Sequence, residues 1–97
     1  MATFVTLINW TEQGIAGFRD TAKRADAFEQ VLAKYGGSVK EIFWTIGTYD
    51  IVAAVEVPDD ESATAALLEV GALGNVRTTT LRAFDRDEIQ SIIGKIG

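Results

Sequence analysis

The chain has no cysteine, which removes disulfides and thiolate metal sites and leaves nothing that points to an oxidising compartment. It has no histidine either, so the commonest metal ligand, the usual haem ligand and the most frequent general base are missing. Positive charge is sparse: nine Lys and Arg against fourteen Asp and Glu leave a net charge of −5, and the nine are scattered. A phosphate-backbone binder gathers its cations into a stripe, so nucleic acid is not an expected partner. No apolar run approaches the roughly 20 residues that span a bilayer, and the N-terminus shows neither a basic leader nor a cleavage motif. A cytoplasmic location without a membrane partner is the expectation. Nucleophile-base pairs, phosphate loops and zinc spacings are also absent, and no cofactor or metal is expected.

What remains is apolar. Of 97 residues, 47% are hydrophobic, high for a single small domain with much surface for its volume, so part of that surface is expected to meet a partner. Residues 2–9 mix Phe4, Val5, Leu7 and Ile8 with Thr3 and Thr6, the composition of a strand covered on both faces. Asn9 to Ile15 breaks the pattern, with Thr11 a cap for one short helical turn.

From Asp20-Thr21 onward, Ala22, Ala25, Phe28, Leu32 and Tyr35 recur at spacings of three and four, with Lys23, Arg24, Asp26, Glu29, Gln30 and Lys34 on the other face. This predicts an amphipathic helix closed by Gly36-Gly37. Ser38 to Ile46 alternates as a second strand, with bulk on both faces and Trp44 in a buried position. Gly47-Thr48-Tyr49-Asp50 is then a hairpin turn, and a third strand runs from about Asp50 to Val57, ended by Pro58.

Asp59-Asp60-Glu61 places capping oxygens and negative charge at the start of a helix over residues 60–71, which explains these carboxylates without a metal. Asn75 to Phe84 is a fourth strand. Asp85 with Glu88 starts a short last helix carrying Ile89, Ile92, Ile93 and Ile96 on one face, with no obvious groove of its own to fill.

The order β-α-β-β-α-β predicts a single α+β domain over residues 1–97 with the ferredoxin-like plait: sheet order 4-1-3-2, two helices on one face and a short C-terminal helix added. The other face of so apolar a sheet would stand in water in a monomer, so a homodimer or higher homo-oligomer is expected. Strand direction gathers Asn9, Trp10, Tyr49, Asp50, Asn75 and Arg77 at one end, a set suited to a small polar or anionic ligand. Structure alone also accounts for much of it: glycine and aspartate build turns, and Arg77 either clamps an anion or pairs with Asp50. Arg82 is expected to point outward into solvent, or, if inward, to need Glu56 or Glu41.

The stretches Leu7 to Ile15, Gly47-Thr48-Tyr49-Asp50, Glu56-Val57-Pro58-Asp59-Asp60 and Gly74 to Phe84 together resemble the GYD-domain family of small bacterial and archaeal proteins, along nearly the whole chain. The resemblance implies a ferredoxin-like domain of the dimeric α/β-barrel kind and no assigned activity. The expectation is a homo-oligomeric small-molecule-binding or regulatory module without catalysis. The competing reading is a cofactor-independent isomerase or monooxygenase acting on a small organic acid in the sheet-helix cleft, with Tyr49 and Asp50 moving protons and Arg77 holding the substrate carboxylate.

Overall fold

The computed structural model describes every residue from Met1 to Gly97. Its elements are β1 (Ala2–Trp10), α1 (Glu12–Ala16), a 3-10 turn (Phe18–Asp20), α2 (Thr21–Lys34), β2 (Ser38–Trp44), β3 (Ile51–Val57), α3 (Asp60–Ala72), β4 (Val76–Ala83) and α4 (Arg86–Gly94). The strands form one antiparallel sheet in the order β2-β3-β1-β4. The α+β architecture agrees with the ferredoxin-like pattern read from the sequence.

Side chains alternate across a strand, and burial shows which set faces inward. Ala2, Phe4, Thr6 and Ile8 of β1 and Ile51, Ala53, Val55 and Val57 of β3 are buried, while the residues between them are only half-buried. The buried set faces α2 and α3, whose Phe28, Leu32, Ala63 and Ala66 complete the core. Ala53 and Ala66 are wholly inaccessible, and two methyl side chains at that contact let helix and sheet come close. Leu32 is 1% exposed, and burial of such a side chain stabilises by about 1.5–3 kcal/mol. The one buried polar side chain, Thr6, is satisfied by the hydroxyl of its cross-strand neighbour Thr80 at 3.3 Å.

Caps set the helix ends. Thr11 accepts the N–H of Gly14 at the start of α1, and Asp59 accepts that of Ser62 at 2.7 Å at the start of α3. At α4 a capping box joins Asp85 and Glu88 through bonds of 2.8 and 3.0 Å. Yet α4 has no buried residue, and Ile89, Ile93 and Ile96 are 42%, 51% and 82% exposed. The molecule is accordingly 52 Å long, and its radius of gyration of 14.4 Å exceeds the ~13 Å of a compact domain this size.

Some details depart from the sequence reading. Strand β2 stops at Trp44, because the Thr45 N–H turns to the Asp50 carbonyl at 2.8 Å and its hydroxyl to the Tyr49 carbonyl. A bulge between Val39 and Glu41 also interrupts strict alternation: Lys40 is the extra residue, and Val39 joins Ile42 and Trp44 on the helix side. Trp44 is 44% exposed rather than buried, since β2 is an edge strand, and its indole N–H donates to the Thr21 hydroxyl at 2.8 Å. Arg82 is exposed, as expected, but it pairs with Phe4 in the register and so lies on the helix side, where its guanidinium covers the rings of Phe4 and Phe84. Its carboxylate neighbour is Glu88 at 3.8 Å, neither Glu56 nor Glu41.

Candidate functional site

At one end the sheet and its helices separate. The buried Ile8 and Ile51 stand outside the core cluster there and floor a cleft of about 80 Å³. Phe28 and Val31 of α2 form one wall, and Val70 with Leu73 from the end of α3 forms the other. Trp10, Thr21, Arg24 and Asn75 supply the polar atoms at the end nearest α1, and Thr78 adds one from the sheet.

The loops around that end are stitched to one another. The carboxylate of Asp50 accepts the N–H of Trp10 at 2.9 Å, and the Asp50 N–H donates to the Ile8 carbonyl at 2.9 Å, which locks the hairpin loop to the end of β1. The Thr11 hydroxyl donates to the Gly74 carbonyl at 2.6 Å, and the Thr11 N–H to the Asn75 carbonyl at 3.1 Å. Gln13 donates through Nε2 to Leu73 and to the Asn75 side-chain oxygen at 2.9 Å. Gly14 passes so close to the Asn75 carbonyl that a Cβ there would overlap it. Strand direction therefore brings three distant segments together, as the topology implied.

The six residues singled out from the sequence do not share one surface. Trp10 and Asn75 line the cleft. Asn9 and Arg77 are cross-strand partners one position along, so alternation sends both to the open face of the sheet. Asp50 is the staple between loop and strand, and no ion pair joins it to Arg77. Tyr49 is half-buried in the hairpin loop and contributes its carbonyl to Thr45.

Sequence reasoning passed over Arg24, which it placed with the polar face of α2. Its Nη1 donates to the Gly14 carbonyl at 2.9 Å, and its other terminal nitrogen lies where a side chain on residue 17 would be, a space left by Gly17. The available signal was the glycine spacing, Gly14 and Gly17, ahead of an arginine near the start of a helix. Arg24 is also the only ionisable side chain on the cleft: no carboxylate, amine or phenol lines it. No cluster of acidic side chains is gathered to hold a metal, and no helix is long and apolar enough to cross a membrane.

The model of the GYD domain matches residues 4–93, and the chain belongs to that family. Among solved structures it is similar to TTHA0845 from Thermus thermophilus, 29% identical over 88% of this chain and 95% of that one, with a TM-score of 0.56. It is similar in fold to FFRP-DM1, at 22% identity over 87% and 100% of the two chains and a TM-score of 0.57. The hypothetical protein PHS023 from Pyrococcus horikoshii is comparable, at 21% identity over 89% and 93% and a TM-score of 0.56. No curated protein matches the chain.

Proposed function

We propose that this GYD-domain protein is a cytoplasmic, homo-oligomeric small-molecule-binding or regulatory module that holds its ligand in the helix-sheet cleft without transforming it. One observation carries the reading: the cleft is apolar with a few polar groups at one end, the make-up of a ligand pocket, and contains no side chain able to take up and release a proton near neutral pH. Tyr49 and Asp50, the pair an isomerase or monooxygenase would need, lie outside the cleft lining. Trp10 and Asn75 touch the ligand in this reading, and Asp50 acts on it indirectly by fixing the backbone of Trp10.

The homo-oligomer is supported by the second face of the sheet. Val5, Leu7, Val52 and Ala54 lie at its centre, flanked by Phe43 at 56% and Leu81 at 50% exposure. Contiguous apolar surface of this kind marks an interaction site. Two copies meeting there, in the manner of a dimeric α/β barrel, would cover it and bring Asn9 and Arg77 to the interface.

Light scattering on a sizing column tests the assembly, and mass spectrometry of small molecules released from the purified protein tests the ligand. The expected results are at least twice the chain mass, a chain-mass species for Leu81→Lys, and a released compound lost from the cleft-filling Val70→Trp. A monomer at micromolar concentration sinks the first part. Equal yields of the same compound from Val70→Trp sink the second.

A further inference from the structure

Three of the polar side chains on the cleft, Arg24, Asn75 and Trp10, carry N–H donors, and none of those that line it is a carboxylate. Arg24 offers five N–H donors and uses one, on the Gly14 carbonyl. No carboxylate stands within ion-pair distance of it, although Asp20 is one helical turn away. The side-chain amide of Asn75 spends its oxygen on Gln13, which leaves its N–H groups unpaired, and the indole N–H of Trp10 has no protein acceptor. Both residues line the same cleft as Arg24. A half-buried guanidinium beside two neutral donors, with no negative side chain around it, is an electrostatic half-site.

We propose that the ligand of this cleft is an apolar carboxylate whose head is held by Arg24, with its tail on Ile8, Ile51 and Val70. The proposal rests on the cleft being a binding site. Size limits the tail. The cleft holds about 80 Å³ and opens at one side, so an aliphatic tail of about four carbons fits within it. The planar fork of arginine matches a carboxylate through two parallel bonds, and burial beside apolar walls strengthens both. Gly17 belongs to the arrangement, because any side chain there would displace the guanidinium. A structural account is available: Arg24 satisfies a carbonyl of α1, a segment of only five residues. That role predicts equal losses for charged and neutral ligands, whereas the proposal predicts unequal ones.

Pentanoate and 1-pentanol share a tail and differ in the head, and the Trp10 indole N–H resonance reports on both. In the unmodified chain, pentanoate is expected to shift that resonance with about tenfold higher affinity than 1-pentanol, the factor that one charge-assisted pair supplies. Arg24→Met is expected to abolish the preference and leave 1-pentanol within about twofold, while Arg24→Lys keeps part of it. Equal affinities in the unmodified chain overturn the proposal whether or not Arg24→Met folds, as does a preference that survives Arg24→Met or a parallel loss of both ligands. If neither compound moves the Trp10 resonance, the cleft is not the binding site and the reading beneath the proposal fails with it.

Discussion

The layer between sheet and helices is closed at one end and open at the other, although the same two helices cover both. At the closed end Phe4, Val55, Val57, Leu32 and Ala63 leave a void of about 10 Å³, against about 80 Å³ at the open end. The difference follows from side-chain size and from what each helix offers. Ala63 and Ala66 let α3 sit close to the sheet, while further along, Val70 and Leu73 face Ala25 and Arg24 with too little volume between them to fill the gap. Stability is concentrated at the first end and available chemistry at the second.

Phe28 stands between the two, bordering both the cleft and the small void. Phe28→Ala should therefore have the largest effect, a loss of about 3–5 kcal/mol in urea unfolding. It should also merge the two spaces, so that 1-octanol gains on 1-pentanol in binding. A cost below about 1 kcal/mol would mean that the helices close over the gap and that the contrast between the ends is soft.

Gly14→Ala acts at the open end alone. The added methyl meets the Asn75 carbonyl, so the loop must shift, at an expected cost of about 1–3 kcal/mol. Amide exchange should quicken at Trp10, Thr11 and Asn75 and remain slow at Phe4 and Val55. Uniform quickening would show that the two ends unfold as one unit.

Acid acts on the closed end through Asp59. The Ser62 backbone N–H holds the Asp59 carboxyl below its ordinary 3.8. A lowered folded value makes the bond fully effective above the unfolded value and lost as pH falls through the folded one. Asp59→Asn should flatten the dependence of stability on pH below 3.8, a small effect because the group is exposed. No carboxylate lines the cleft to act as a counterpart there.

Much of the architecture was legible in the residues. Periods of two and three to four marked the strands and helices, and Pro58-Asp59, Asp85-Glu88 and the Gly47 to Asp50 turn marked their ends. The site was legible only as a neighbourhood. Grouping Asn9 with Trp10 follows loop proximity, but adjacent residues in a strand point to opposite faces, and Arg77 shares the face of its partner Asn9 while Asn75, in the loop before β4, lines the cleft with Trp10. Arg24 was hidden for the converse reason. A helix has no sharp line between polar and apolar sides, and only the backbone of Gly14 and Gly17 turns a flank residue into a wall of the cleft. Trp44 reads as core from its strand position, but an edge strand covers a side chain on one flank only, which leaves the indole half in solvent and bonded to Thr21 at the start of α2.

The last helix sets a different kind of clock in the molecule. Nine residues are fewer than the ~12–15 at which a helix holds in water by itself, and α4 has a good cap but no buried side chain. On a lone chain it should form and melt within about a microsecond, so its amides would exchange almost as in a free peptide while those of β1 wait for global unfolding. Anything that covers Ile89, Ile92 and Ile93 would slow that exchange without altering the domain behind it. The tail thus works as a built-in gauge of occupancy, readable residue by residue from Arg86 to Gly94.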